Sequence, residues 1–346
     1  MVGERLRLKR NANQMSLQDL VCALKASGVS ITKAALSNYE TGKTIPNDSM
    51  LQILAQELGT TINFLMYEDK FQPEIEFFRQ IDTFLKNLNE LEAYVHVTLE
   101  KQLSINEILG IRSNWTCPKA MRVTEENLDQ VEEYAAEVRK GWRLNEYPIS
   151  SVTSLLEKQG WDVFEIPGSF GVSGISGYDK KSNIPFVYCA TKAGIVNLRM
   201  QLLQEVARAY IQSDSDEIME KAIRRFAATI LFTREQALLE FGPSRSAITS
   251  AELTLMKKRY GLPKYEVMRR LQQTGIISMP LFRVYMGKIR QHGYPSNRDT
   301  MDEPLFFFEN PSEYNRKVQY ACAEGLIEAS ENRQHQMMPD IYYLQE

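Results

Sequence analysis

Histidine is scarce in this chain: His96, His292 and His335 are the only three in 346 residues, and none has another His or a Cys at ligand spacing. A metal centre needs several such donors at defined separations, so the scarcity argues against one. Cysteine is equally thin. Cys22, Cys117, Cys189 and Cys322 form no C-x-x-C pair, which suggests neither a zinc knuckle nor a disulfide framework and leaves reduced thiols as the expectation. No apolar run approaches the roughly 20 residues that span a bilayer. Met1 to Arg10 carries too much charge for the apolar core of a secretory signal. The expectation is a cytoplasmic chain without membrane contact, in which the sequons Asn47-Asp48-Ser49 and Asn114-Trp115-Thr116 are chance matches. A broad basic excess is also missing. The 41 Lys and Arg against 44 Asp and Glu give a net charge of -3, which argues against coating nucleic acid over the whole surface but allows one local basic face.

A chain of this length with 43% hydrophobic residues can bury a substantial core and divides into two or three domains. From Glu4 to Met66 it reads as short helices separated by turn residues. Leu6, Leu8, Leu17, Leu20, Val21 and Leu24 supply apolar faces, with Ser16 as an N-cap. After a turn at Gly28-Val29-Ser30, a short helix is capped near Thr32 and stopped at Gly42. Pro46 ends that segment, and Leu51, Ile53, Leu54, Leu58, Phe64 and Leu65 provide two more helices.

These residues resemble the Cro/repressor-like, or XRE-type, helix-turn-helix family, through a pattern like S-x-x-x-L-S-x-x-E-x-G-K-x-x-P across the recognition helix. The resemblance implies that Thr32 to Tyr39 lies in a DNA major groove, with Lys33, Ala34, Ser37 and Asn38 facing base edges. Lys33 suits guanine O6 or N7, Asn38 suits adenine, and Ala34 a thymine methyl. Thr41 and Lys43 would hold phosphates. Arg10 and Glu40 fall where similar domains place a buried ion pair. The sequence departs from the pattern at Leu17, where a phosphate-touching Gln is usual and Gln18 is the substitute. It also departs at the longer link through Lys25-Ala26-Ser27. The local charge excess is modest, so two copies acting on a double-stranded operator are expected.

Beyond Pro73, the apolar residues Phe77, Ile81, Phe84, Leu88, Leu91 and Val95 alternate steps of four and three, a heptad seam with Arg79, Gln80, Asp82, Lys86, Asn87 and Glu90 off it. Such a helix either pairs two chains or packs on its own chain's next domain, and Phe78, Leu85 and Tyr94 widen the stripe.

From Asn127 the pattern predicts a helix over Val131 to Leu144, a second over Ile149 to Gly160, strands at Trp161 to Ile166 and Asn183 to Cys189, a glycine-rich turn at Gly171 to Tyr178, and helices over Asn197 to Ile211 and Glu217 to Phe232. This order, with Gly174-Ile175-Ser176-Gly177-Tyr178 and Phe226-Ala227-Ala228, resembles the ImmA/IrrE metallopeptidases between Asn127 and Ala329. In that family the resemblance implies an H-E-x-x-H zinc helix. Here it reads Gln204-Glu205-Val206-Ala207-Arg208. A guanidinium has no lone pair to give a metal, and a Glu expected near Ala222 is absent, with Glu217 and Glu220 out of register. Leu202, Phe226, Ala227 and Leu231 still fit the template. Gln204, Glu205 and Arg208 are therefore read as vestigial: no catalytic residue, no metal and no cofactor. Arg199, Gln204, Arg208 and Arg224, with Arg225 beside them, either line the former cleft as an anion or carboxylate site or are surface charge. For Glu205, a salt bridge with Arg208 is the plainer role. A helical pair follows from Ala251 to Leu271. Arg283 to Arg298, with Lys288 and Arg290 inside it, reads as a solvated face.

The expected fold is mainly α with a small β-sheet, an α+β chain: a helix-turn-helix domain at 1–67, a helical linker at 68–126, a peptidase-like core at 127–250 and a helical extension at 251–346. The expected function is a prokaryotic or phage transcriptional regulator, a homodimer and more readily a repressor. Its inactive second domain would sense a small molecule or peptide, or dock a protein. Two other readings stay open: an antitoxin or antirepressor that holds a toxin or repressor partner, and a metallopeptidase with unconventional ligands.

Overall fold

A computed structural model describes residues 2–66, 72–79, 87–190, 194–291 and 307–327, of which 289–291 are described as backbone only. The described residues form an α+β fold, mainly helical with two small sheets.

Five helices form the N-terminal unit: α1 (Val2–Ala12), α2 (Leu17–Ala26), α3 (Lys33–Glu40), α4 (Asp48–Glu57) and α5 (Ile62–Met66). Their starts are set by local chemistry. Ser16 and Asp19 make a reciprocal capping box on α2, Thr32 accepts from Ala35 N on α3, and Asn47 accepts from Met50 N on α4. Each cap satisfies amides that a helix start leaves unpaired and stabilises by about 1 kcal/mol. Leu6, Leu20, Leu24, Leu36, Leu51, Leu54 and Leu65 close the core between them.

Next comes strand β1 (Ile75–Phe77), and this corrects the expected helical seam. Phe77 is extended and pairs with Gly177, where an added Cβ would lie 2.3 Å from Glu76 O. The close strand approach that glycine permits is what draws this segment onto the sheet. Ile81 and Phe84 lie outside the described residues, as do Gln80, Asp82, Leu85 and Lys86. Helix α6 (Leu88–Ile108) carries the rest of the stripe. Its Leu91, Val95 and Leu99 pack on Phe164, Phe170, Phe186 and Tyr188 of the same chain, so this face is spent internally.

The main sheet has the order β1-β4-β5-β3, from β3 (Asp162–Glu165), β4 (Gly174–Asp179) and β5 (Ile184–Cys189). β3 runs parallel to β5, and β4 antiparallel to both β1 and β5. The stretch expected as a turn at Gly174 to Tyr178 is thus strand β4. Side chains alternate across the sheet. Phe164, Phe186 and Tyr188 face α6, while Val163, Val187 and Cys189 join the larger core that contains α9 (Ile195–Ala207). A short pair, β2 (Met121–Arg122) with β6 (Ile211–Gln212), flanks that core.

Around α9 stand α7 (Val131–Gly141), α8 (Val152–Lys158), α10 (Asp216–Leu231) and α11 (Arg234–Phe241), then α12 (Ser250–Tyr260), α13 (Lys264–Gln273) and α14 (Met279–Gln291). A last helix, α15 (Glu313–Ala323), lays Tyr314, Val318 and Ala321 on Ile105 of α6. α6 is therefore shared: the sheet packs on one side, α15 near its end, and α1 on its first half through Ala12, Ala93 and Val97. Arg5 of α1 and Glu100 of α6, both buried, form a bidentate pair with Nη1 to Oε2 at 2.7 Å, and Arg5 Nε also donates to Phe64 O.

Candidate nucleic-acid interface and the guanidinium-filled cleft

Helix α3 buries Leu36 completely and turns Lys33 and Ala34 to solvent, with Ser37 and Asn38 partly exposed one turn on. That spacing gathers the four side chains on one face. Thr32 and Gln18 are exposed beside them, and Gln18 Nε2 lies 3.7 Å from Cys22 Sγ. Lys43 is exposed beyond Gly42, whose φ of +71° turns the chain out of the helix. Thr41 is exposed too, but its hydroxyl donates to Ser37 O at 2.8 Å, so in this state it has no proton left for a phosphate.

Beneath this face, Arg10 Nε and Nη2 donate to the two carboxylate oxygens of Glu40 at 2.6 and 2.9 Å, and Arg10 Nη1 donates to Met15 O. The fork ties α1 to the end of α3. Gly3 allows the approach, since a Cβ there would lie 2.3 Å from Tyr39 O and 2.6 Å from Glu40 O.

In the second unit, α9 carries the Gln204-Glu205-x-x-Arg208 set. Glu205 is buried under β4, where Ser176 Oγ donates to Glu205 O at 2.8 Å and lies 3.2 Å from Oε2. Two guanidinium groups flank its carboxylate: Arg208 Nε at 3.4 Å and Arg79 Nη2 at 4.0 Å. Arg79 enters just beyond β1 and donates to Gly174 O. An added Cβ at Gly174 would press on Glu205 Cγ at 2.9 Å, so the glycine gives this carboxylate its room. Burial pushes the nearby Cys189 thiol well up, and the Glu205 carboxylate adds to that. Arg208 Nη2 also donates to Glu220 Oε1 at 2.8 Å.

The donor set does not fit zinc. Beside Glu205 stand two guanidinium groups that offer no lone pair, and their permanent charge already meets the carboxylate a metal would meet. Among the described residues, no three His, Cys, Asp or Glu side chains are grouped to hold a metal ion.

Of the residues expected to line the cleft, Gln204 and Arg208 are half-buried at the end of α9. Arg199 is fully buried and donates to Glu309 and to Ile149 O, with its guanidinium 4.1 Å from the Phe307 ring centre. Glu309 in turn accepts from Val152 N at 2.9 Å and Thr153 N at 2.7 Å. Arg224 pairs with Glu266 at 3.5 Å, and Arg225 with Asp129. Arg199, Arg208 and Arg224 thus meet three different carboxylates, Glu309, Glu205 and Glu266. The reading from sequence missed Arg79, Ser176 and Glu309, whose partners are far away in the chain and leave no local signal.

A helix-turn-helix family model matches residues 6–65. No curated protein and no solved structure matches the chain. The N-terminal unit is thus an XRE-type DNA-binding domain, and the protein a DNA-binding transcription regulator. Among the described residues, no helix is long and apolar enough to cross a membrane.

Proposed function

We propose that this protein reads a specific operator through Lys33, Ala34, Ser37 and Asn38, with Lys43 and Gln18 on phosphates. We further propose that its second unit is an ImmA/IrrE-like peptidase scaffold that no longer cleaves and instead senses a ligand or docks a partner. The observation that carries the first part is the polar face of α3 inside a matched helix-turn-helix domain. For the second part, support comes from Glu205 held between Arg79 and Arg208, an arrangement that answers the carboxylate without a metal. Signals from the second unit reach the reading head through the buried Arg5–Glu100 pair, the tie between α1 and α6.

The reading head is small, so two copies bind a two-fold operator. The Leu91–Val95 face of α6 packs inside the chain, and the contact between copies lies elsewhere. Repression follows wherever such an operator overlaps a promoter. Replacing Lys33 and Asn38 together by Ala is expected to abolish preference for the operator over random DNA, measured by competition at one fixed salt concentration. Undiminished discrimination refutes the assignment. Metal analysis of purified protein is expected to find no stoichiometric transition metal, and one bound beside Glu205 reopens the peptidase reading.

A further inference from the structure

A cavity of about 290 Å³ lies between the second half of α6, the segment after it and the β4–β5 turn. Its walls are of three kinds. Leu103, Ile111 and Ile184 make an apolar side, and Ile111 is 38% exposed, a large apolar side chain left partly uncovered. Asn106 also lines the cavity. It is 4% exposed, and its Oδ1 is buried without a hydrogen-bond partner. An amide oxygen left in that condition costs about 1–3 kcal/mol. The remaining lining is polar, with Gln72, Ser113 and Ser182, or charged and balanced, with Glu107 and Asp179 against Arg112 and Lys181; Asp179 is buried and accepts from Glu74 N, Ser182 N and Ser182 Oγ. Arg112 pairs with Glu107, and Lys181 with Glu74, but these pairs are largely exposed. Exposed pairs contribute only about 0–1 kcal/mol and rearrange readily around a ligand.

We propose that this cavity binds a small zwitterion with an apolar body, of the chemical class of an apolar α-amino acid. A lining with two charges of each sign favours neither a net anion nor a net cation, but it can meet an ammonium and a carboxylate at once. At ~30 Å³ per water-sized group, the volume holds about ten non-hydrogen atoms, which is amino-acid size. The site lies apart from the Glu205 cluster. Leu103 and Glu107 stand at i+3 and i+7 from Glu100, on one stripe of α6, so a ligand there touches the helix face that grips Arg5. The ligand would thereby change how firmly the reading head is held, a consequence that rests on the sensing function proposed above.

The test is calorimetry on the full chain with L-leucine, isoleucine, valine and methionine, and with leucinamide and N-acetyl-leucine as probes that lack one charge each. Saturable binding is expected for at least one amino acid, at least tenfold weaker for its singly charged analogue. It should weaken at least tenfold in Arg112→Ala/Lys181→Ala, where both side chains are mostly exposed and the fold is retained. Affinities weaker than about 1 mM for all four amino acids overturn the proposal, and so does binding unaffected by the Arg112→Ala/Lys181→Ala change. Operator affinity is measured in parallel. Binding without any change in operator affinity upholds the site and refutes the sensing reading, so the two fail separately.

Discussion

Glu309 is 4% exposed and, among the described residues, is the carboxylate that pairs with the fully buried Arg199. It also accepts from Val152 N and Thr153 N. Removing one partner of a buried pair leaves the other charge uncompensated, at about 3–5 kcal/mol. Arg199 keeps Ile149 O at 2.7 Å, which softens the loss. Val152 N donates to Oε1 and Thr153 N to Oε2, so Glu309→Gln retains an acceptor for one of the two amides and is expected near the lower figure, about 3 kcal/mol; Glu309→Ala orphans both and is expected near about 5 kcal/mol. Trp142 and Trp161 sit in the second unit's core, with Trp115 packed against it, and the chain has three tryptophans in all. Urea unfolding followed by tryptophan fluorescence therefore reports this unit and not the reading head. A companion Arg199→Met/Glu309→Leu variant is expected to recover the part of the loss due to the unpaired guanidinium, while Val152 N and Thr153 N stay without their acceptor. A loss below about 1 kcal/mol in Glu309→Ala refutes the reasoning and makes the pair incidental.

Two further perturbations probe other links. Gly3→Ala forces a Cβ against Tyr39 O and Glu40 O, and is expected to cost about 1–3 kcal/mol in the reading head and to weaken operator binding. Circular dichroism melts and gel-shift titration check this, and unchanged affinity counts against the α1–α3 contact. Burial raises the Asp162 carboxyl from its ordinary 3.8 to about 7 despite Lys317 Nζ at 3.9 Å, with Glu313 and Glu157 adding to the rise. The folded chain then binds this proton more tightly than the unfolded one. The stability it contributes is complete below about pH 4 and is lost as pH rises through about 7. Asp162→Asn, which keeps the acceptor for Gln102 Nε2, is expected to flatten the fall in urea midpoint between pH 5 and pH 8. An equally steep fall in the variant assigns the slope to other groups.

The reading head was legible because its determinants are local. Ser16 with Asp19, Thr32 three residues before Ala35, and leucines at helical spacing each act within a turn or two. The stripe on α6 was legible as apolar, but its partner was not. Steps of three and four describe a face that fits another helix or a sheet equally well, and only the pairing of Phe77 with Gly177 shows that this segment joined β4. The glycines that suggested a turn at Gly174 and Gly177 instead admit close neighbours to a strand, the side chain of Glu205 at one and the backbone of β1 at the other. From the sequence, Arg199 reads as cleft lining or as surface charge, and it is neither exposed nor on the surface. Its partner lies 110 residues away in a segment without a motif of its own.

The cluster at Glu205 bears on how the connecting segment is held. A buried carboxylate needs compensation, and on the peptidase-like reading a metal once supplied it. Here Arg208 answers from the same helix, and Arg79 answers from the segment that follows the reading head. The second contact changes what the site does mechanically, since it pins the connection between the units to α9. α1 is pinned to α6 by Arg5 and Glu100, and α15 packs against the far half of α6. On the sensing proposal, a ligand that disturbs α6 acts on a helix that α1 and α15 both pack against. α1 also reaches the recognition helix through Arg10 and Glu40, so a chain of contacts runs from α6 through α1 to α3.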